Sequence, residues 1–206
     1  VYYYRNPMDQ CLSAYRHGLK HVNSQNRFIT TPSGGKLEIS DPSDFLRMGG
    51  LESYIKQFMT FKVSAPNHPS KILMIQYEEL VTTPLETFTK VVDHLLKGVY
   101  PENLTTDLIA KAVDMSSSKN LKEIEKKYAR PLAGDQVDPN ESHFRDGSIG
   151  TWREVFSKDD IEFAEKKLSE FDLNLSDFEL HSKPNQNPDH PSVHSELLTL
   201  LSIVPS

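Results

Sequence analysis

The apolar positions along the chain predict two strands, and a helix follows each of them. Residues 1–4 (VYYY) form a run of β-favouring residues. Behind this run, Asn6 suits a helix N-cap, Pro7 suits the first helical position, and Asp9 falls in the first turn, where the helix dipole favours a carboxylate. We therefore predict a strand, a tight turn and a helix that extends to about residue 20.

The second strand is predicted over residues 71–77 (KILMIQY), which are apolar almost throughout. Such a run is typical of a strand that is buried on both faces in a parallel sheet. A helix is predicted over residues 84–96, with Thr83 at its cap position. Strands that alternate with helices in this way predict an α/β fold in which helices flank a parallel sheet.

Helical patterns recur at residues 104–114 and 117–128. A further helix is predicted by apolar side chains at helical spacing, namely Leu51, Tyr54, Ile55, Phe58 and Phe61. Ser157 and Asp160 resemble a capping box at the start of a helix that reaches about residue 171.

The polar segments between these elements predict loops and a tail. Residues 22–44 are interpreted as a long surface loop, and residues 130–151 as irregular. Residues 1–180 are predicted to form part of a single domain, and residues 181–206, which are rich in Pro, Asn and Ser, a disordered tail. Two parallel strands make a poor independent sheet, and the chain opens with Val1 inside a predicted buried strand, so we expect further strands upstream.

The composition and charge of the chain argue against several classes of function. The 206 residues are 37% hydrophobic and 25% charged, which is typical of a globular protein. A net charge of −6 argues against general nucleic-acid binding but allows a local pocket for an anion. Cys11 is the only cysteine, so an intramolecular disulfide and a cysteine zinc cluster are excluded, and a reducing compartment fits. No apolar run approaches the roughly 18 residues of a membrane span.

Two motifs carry residues suited to anion binding. Arg5 follows the first strand, at the edge where open α/β sheets bind ligands, and Ser13 lies in the helix behind it. The planar arginine fork matches phosphate oxygens, and a serine hydroxyl donates a further hydrogen bond. In the segment FRDGSIGTW, Gly147 and Gly150 frame a loop whose backbone amides could face an anion beside Arg145.

Each motif alone is more typical of an ordinary surface. A solvent-facing arginine and serine explain the first motif, and a glycine turn explains the second. Tyr77, in the segment YEEL at the end of the second strand, could contact a ligand base or be simply half buried. His17 and His21 are one helical turn apart, but no further ligand pattern accompanies them, so a solvated helix face is favoured over a metal site.

The combination is more specific. The succession of YRNPMDQCLS, YEEL and FRDGSIGTW resembles the cytosolic sulfotransferase family over roughly residues 1–175, and residues 116–122 (SSSKNLK) lie where that family has a Thr/Ser-Ser-Phe stretch. The resemblance implies a P-loop-like sulfotransferase fold. It also implies transfer of a sulfuryl group from PAPS (3′-phosphoadenosine 5′-phosphosulfate) to a hydroxyl or amine of a small molecule. PAP (3′,5′-adenosine bisphosphate) is the implied product, and no metal is implied.

The resemblance assigns donor-binding residues as well. They are Arg5, Ser13, Tyr77, Ser116, Arg145, Asp146 and Gly147. The arginines, Ser13 and Gly147 would hold the 3′-phosphate, and Tyr77 and Ser116 would contact adenine. In the family, the phosphosulfate-binding loop with its catalytic lysine precedes the first motif, and so does the catalytic histidine, so the resemblance implies that this chain is the C-terminal part of a single sulfotransferase domain. We therefore expect this chain to carry half of the site, no catalytic residue, and no activity alone.

The chain departs from the family pattern at several positions. Asp146 stands where the family has a lysine, and Ser118 stands where a phenylalanine packs on adenine. Residues 22–44, near the acceptor entrance in the family, are longer than usual. The dimer motif is degraded at its matching positions, Arg153, Ser157, Lys158 and Glu162, so a homodimer is an open expectation.

Further expectations are a small-molecule acceptor, no nucleic-acid or membrane partner, and a cytoplasmic location. Two alternatives stay open. The chain could be a degenerate, non-catalytic relative that binds nucleotides or partners, as Asp146 and Ser118 suggest. It could also be part of a P-loop kinase-like phosphotransferase. Binding of ATP with magnesium, as opposed to binding of PAP, would distinguish this alternative.

Overall fold

The structure is a computed structural model that describes residues 1–20, 28–30, 36–128 and 147–180. The predicted tail lies outside these residues, as do Arg145 and Asp146. The strands are β1 (Tyr2–Tyr4), β2 (Phe28–Thr30), β3 (Lys36–Glu38) and β4 (Met74–Gln76). The helices are α1 (Pro7–Lys20), α2 (Pro42–Phe45), α3 (Leu51–Ser64), α4 (Tyr77–Thr82), α5 (Pro84–Leu96), α6 (Thr106–Met115), α7 (Ser118–Tyr128) and α8 (Lys158–Ser169).

β1 and β4 form a parallel sheet, in which Tyr3 lies opposite Ile75. Each strand continues directly into a helix, β1 into α1 and β4 into α4. The prediction of an α/β fold with a parallel sheet flanked by helices is therefore confirmed. Because the two strands run in the same direction, their carboxyl ends meet at one edge. Arg5 and Tyr77, the residues that follow the strands, are placed together there.

α1 begins as predicted. The side-chain oxygen of Asn6 accepts a hydrogen bond from the N–H of Met8 at 3.0 Å, and the Asn6 carbonyl accepts one from the N–H of Gln10 at 2.9 Å. Pro7 fills the first helical position, where no N–H is needed. The turn from β1 into α1, directly after Arg5, is thus stabilised by hydrogen bonds of neighbouring residues.

The long surface loop predicted over residues 22–44 is wrong where the structure describes it. β2 and β3 pair antiparallel, with Ile29 opposite Leu37. α2 follows, and Asp41 caps it by accepting a hydrogen bond from the N–H of Asp44 at 2.9 Å. The prediction rested on polar composition, but backbone hydrogen bonds between strands hold a short hairpin and require no apolar run.

The predicted helices after the first are confirmed by α3, α5, α6, α7 and α8. Thr83 occupies the predicted cap position of α5, although its side chain makes no cap hydrogen bond. Thr83 also ends α4, and its hydroxyl donates instead to the carbonyl oxygen of Glu79 at 3.2 Å. A residue shared by two helices satisfies the carbonyl of the first at the expense of the cap of the second.

The core lies between α1, α3 and α8. Its buried side chains include Met8, Leu12, Ile55, Phe58, Ala164 and Leu168. Phe178 packs against Phe58 with ring centroids 4.9 Å apart, and its carbonyl accepts a hydrogen bond from Gln76 Nε2 at 2.7 Å. The last described residues are therefore tied to β4. In the part of the chain that the structure describes, no helix is long and apolar enough to cross a membrane.

α8 begins with the predicted capping box between Ser157 and Asp160. The Asp160 carboxylate is only 3% exposed, and it also accepts hydrogen bonds from Ser43 Oγ at 2.8 Å and Arg47 Nε at 2.9 Å. Burial alone would raise the pKa of Asp160, but the hydrogen bonds from Ser157, Ser43 and Arg47 together lower it. This carboxylate therefore fastens the segment after β3 to α8.

Candidate functional site

Arg5 stands at the centre of the site, just beyond the carboxyl end of β1. Its guanidinium carbon lies 4.5 Å from the ring centroid of Tyr77, a cation–π contact with the first residue of α4. One guanidinium nitrogen lies 3.6 Å from a carboxylate oxygen of Asp9, and the side chain is 16% exposed. The Nε atom of Arg5 is buried and has no hydrogen-bond partner among the described residues. The arginine is thus fixed in direction while it retains an unused donor.

Asp9 joins this arginine to the glycine loop. Its buried carboxylate accepts hydrogen bonds from the N–H of Gly150 at 2.7 Å, the N–H of Trp152 at 3.2 Å and the hydroxyl of Thr151 at 3.3 Å. Gly150 has φ = 79°, a conformation that favours glycine. Sequence reasoning assigned Asp9 only to the helix dipole. Its partners are remote in sequence, so no local pattern could have identified this second role.

Gly147 opens the described part of that loop with φ = 67°. A Cβ atom at this position would stand 3.4 Å from the Tyr77 hydroxyl and 3.6 Å from Ser118 Oγ. The two hydroxyls therefore face the same small space, and the absence of a side chain at Gly147 keeps that space open. Arg5, Tyr77 and Gly147, which the sequence motifs singled out separately, are brought together here.

The other predicted residues are placed less closely. Ser13 is exposed on α1, one helical turn beyond Asp9 and on the same face of the helix. Ser116 is exposed at the end of α6, and its N–H donates to the Ala112 carbonyl at 3.1 Å. Of the stretch that contains it, Ser118 is the residue that reaches Gly147. The predictions for Arg145 and Asp146 lie outside the described residues.

Two buried polar residues support the site and were missed by sequence reasoning. Glu78 is 2% exposed, and its Oε1 accepts a hydrogen bond from the N–H of Asn6 at 2.9 Å. Tyr54, on α3, uses its hydroxyl to bind both the N–H and the carbonyl of Arg5. The helical period found Tyr54 as a core residue, but a period carries no information about the direction of a hydroxyl.

No group of three or more His, Cys, Asp or Glu side chains within the described residues is arranged to hold a metal ion. His17 is exposed on α1, whereas His21 lies outside the described part of the chain. Burial raises the pKa of the Cys11 thiol to about 12, so the thiol stays protonated near neutral pH. The described arrangement offers an arginine fork, two hydroxyls and a glycine loop, which are donors suited to a phosphate or another oxyanion.

Comparison of the sequence with known proteins identifies the family. Residues 1–172 match the family profile described as the sulfotransferase domain. The chain is 22% identical over 170 residues to a flavonol sulfotransferase-like protein of Flaveria bidentis, and 23% identical over 157 residues to cytosolic sulfotransferase 17 of Arabidopsis thaliana. These matches cover 82% and 74% of this chain, but 53% and 43% of those proteins. The chain thus spans about half the length of the curated relatives it matches.

Solved structures share the fold. Retinol dehydratase in complex with androsterone and the inactive cofactor PAP superposes with a TM-score of 0.61 at 21% identity, over 90% of this chain and 49% of that one. A mouse sulfotransferase, SULT7A1, complexed with PAP, gives a TM-score of 0.55 at 18% identity, over 82% of this chain and 56% of that one. These likenesses confirm the fold that the sequence motifs implied.

Proposed function

The chain belongs to the sulfotransferase family, and we propose that it holds the 3′-phosphate and adenine of the sulfate donor PAPS. The observation that carries this proposal is Arg5. Its guanidinium is oriented by Tyr77 and Asp9, and its buried Nε is an unused donor with respect to the described residues. A dianionic phosphate supplies acceptors for such a donor, and each charged hydrogen bond contributes roughly 1.5–3 kcal/mol.

The remaining residues of the phosphate half-site are proposed from their positions around Arg5. Ser13 lies one turn along α1 from Asp9, and Gly147 presents its backbone beside the Tyr77 hydroxyl. Arg145 precedes Gly147 in the sequence and would add a second fork. Asp146, next in the chain, stands where the family has a lysine, and a negative charge beside the phosphate would weaken binding.

The adenine half-site is proposed to lie between α4 and the start of α7. The ring of Tyr77 presents one face to the Arg5 guanidinium, and its hydroxyl approaches Gly147. Ser118 Oγ faces the same space, so the base would meet a hydroxyl where the family has an aromatic ring. Ser116 would contact the base from the end of α6. A polar wall here gives less stacking than an aromatic one but can hydrogen-bond a ring nitrogen or the amino group.

The residues of this chain fit the donor. The unused Arg5 donor suits a phosphate oxygen, and the space above Gly147 would be filled by any side chain at that position. Solved structures with this fold contain PAP, which supports the choice of ligand. When bound, PAPS would supply the sulfuryl group that the reaction transfers. The proposed role of this chain is to hold and orient the nucleotide.

The whole protein is proposed to transfer that sulfuryl group directly to a hydroxyl or amine of a small molecule. The acceptor oxygen or nitrogen would form a bond to sulfur, the bond from sulfur to the oxygen that bridges it to the phosphate would break, PAP would leave with that bonding electron pair, and the acceptor proton would be released. Structures of similar fold hold androsterone and retinol, which are both small molecules. We propose that this chain alone does not complete the reaction, since neither motif of the catalytic lysine and histidine occurs in it.

The proposal is tested by calorimetric titration of the full 206-residue chain with PAP and, separately, with adenosine 5′-monophosphate. We expect PAP to bind more tightly, because only PAP carries the 3′-phosphate. The Arg5→Ala, Arg145→Ala double variant should lose at least about a hundredfold in PAP affinity, as expected for two charged contacts.

Arg153→Ala is the matched control. Arg153 lies close to the same loop but pairs with Glu179 at 3.0 Å, so its loss should leave PAP affinity unchanged. Equal binding of PAP and adenosine 5′-monophosphate would contradict a 3′-phosphate site. Preferential binding of ATP with magnesium would favour the phosphotransferase alternative instead.

A further inference from the structure

The backbone of Arg5 is held by a side chain from another helix. The Tyr54 hydroxyl accepts a hydrogen bond from the Arg5 N–H at 3.1 Å and donates one to the Arg5 carbonyl at 2.5 Å. Arg5 lies beyond the end of β1, where the sheet no longer pairs its backbone, so both groups need another partner. One hydroxyl supplies both hydrogen bonds, and burial raises the pKa of Tyr54, so it keeps the proton that it donates.

The next peptide is held by a buried carboxylate. Glu78 Oε1 accepts a hydrogen bond from the Asn6 N–H at 2.9 Å, while Oε2 has no hydrogen-bond partner among the described residues. Burying a carboxylate is costly, and an amide oxygen could have accepted the same hydrogen bond. Glu78 follows Tyr77 in α4, so this helix holds the Arg5 guanidinium through one residue and the adjacent backbone through the next.

From these contacts we infer that Tyr54 and Glu78 are positioning residues, which clamp the Arg5–Asn6 backbone and so orient the Arg5 guanidinium toward the 3′-phosphate of the donor. The inference rests on the proposed function. An arginine side chain has several rotatable bonds, and ordering it on binding lowers affinity. The clamp fixes the backbone, and the Tyr77 ring and Asp9 fix the side chain. The Arg5 guanidinium is therefore ordered before the ligand binds.

A purely structural role makes a different prediction. Tyr54 also packs in the core, where its ring lies 6.4 Å from that of Phe58 in a stacked arrangement. If packing were its only role, phenylalanine would replace it without an effect on Arg5. If the hydroxyl positions Arg5, phenylalanine should preserve the core yet release the guanidinium. Tyr54→Phe therefore separates the two roles.

The experiment measures PAP and adenosine 5′-monophosphate binding to the full-length Tyr54→Phe chain, together with the NMR signal of the Arg5 Nε–H group. That signal is assigned by its loss in Arg5→Lys. We expect PAP affinity to fall about tenfold, and affinity for adenosine 5′-monophosphate to change less than about twofold, because only the 3′-phosphate uses Arg5. The Arg5 Nε–H signal should broaden or disappear, because the released group exchanges faster with water.

Tyr100→Phe is the matched control. It removes an exposed tyrosine hydroxyl that donates to Asp93 of α5 at 2.8 Å, and neither readout should change. Glu78→Gln keeps an oxygen for the Asn6 N–H and should retain most of the PAP affinity. Glu78→Met removes that acceptor and should lower PAP affinity by about the same factor as Tyr54→Phe. An equal loss for both nucleotides, or an unchanged Arg5 Nε–H signal in Tyr54→Phe, would overturn the inference. If the wild-type chain bound no PAP, the proposed function would fail, and the NMR signal would still decide whether the clamp exists.

Discussion

Replacing Asp9 by Asn tests whether one buried carboxylate holds Arg5 and the glycine loop together in the candidate site. Asp9 is anchored in the first turn of α1, near Arg5, and it accepts its hydrogen bonds from the loop that carries Gly150. Asparagine has the same shape, so the substitution removes charge and one acceptor without creating a cavity. The remaining oxygen can serve the Trp152 N–H, but the new amide group then faces the Gly150 N–H, donor against donor.

The magnitude follows from these contacts. The Gly150 N–H loses a short charged hydrogen bond, which is worth about 1.5–3 kcal/mol. The favourable interaction between the carboxylate and the amino end of α1 contributes a further 0.3–1 kcal/mol or so. We therefore expect Asp9→Asn to lower the free energy of unfolding by about 2–4 kcal/mol. For a domain of this size, each kcal/mol lowers the melting temperature by roughly 2–4 °C.

Urea unfolding and thermal melting measure this loss, and a PAP titration at low temperature measures its effect on the site. Asp159→Asn is the matched control, since Asp159 also lies in the first turn of a helix but is exposed. That variant should lose no more than about 1 kcal/mol. If Asp9→Asn were no less stable than Asp159→Asn and bound PAP as the wild type does, the proposed role of Asp9 in joining Arg5 to the glycine loop would be refuted.

Three further predictions concern separate features. Asp160→Asn should lower the free energy of unfolding by about 2 kcal/mol at neutral pH, because charged hydrogen bonds are lost. These hydrogen bonds lower the pKa of Asp160 despite its burial, so the difference in unfolding free energy from wild type should be complete above about pH 4 and vanish as the pH falls further. Urea unfolding at a series of pH values measures this difference. Gly147→Ala and Gly98→Ala each place a side chain at positive φ and should each cost about 1–2 kcal/mol, but only the former should weaken PAP binding, because Gly98 has nothing within 4 Å of its added Cβ. Cys11 should react with a thiol reagent only after denaturation, since burial raises its pKa to about 12, and rapid labelling of the native chain would contradict this.

The local elements of the fold could be predicted from sequence because their causes are local. The cap at Asn6, the capping box at Ser157 and the apolar period of α3 each need only neighbouring residues, and all three are confirmed. The hairpin of β2 and β3 could not be predicted, because its stabilising contacts are backbone hydrogen bonds that apolar patterning does not encode. Thr83 occupies the cap position of α5, but the pattern did not reveal that α4 ends at that residue and that the Thr83 hydroxyl binds the Glu79 carbonyl instead.

The residues proposed to contact the ligand could be predicted from sequence, but the residues that support them could not. Arg5, Tyr77 and Gly147 belong to motifs whose residue types suit phosphate and base contacts, and they converge. The supports are Tyr54 and Glu78, which look in sequence like a core aromatic residue and a helix-start carboxylate. Their roles depend on which remote backbone group each one meets after folding, and a single sequence does not carry that information.

α1 connects the candidate site to residues 40–47, the segment that contains α2. Near its start the helix presents Asp9 to the glycine loop, and further along Tyr15 donates a hydrogen bond to the Ser40 carbonyl at 3.0 Å. That segment continues to Arg47, which is fastened to α8 through Asp160 at 2.8 Å. A tilt of α1 that loosened the contacts of Asp9 would therefore also strain the contact at Ser40. Packed helices can slide past one another by small shifts, so we expect a shift of α1 at the candidate site to be transmitted to this segment.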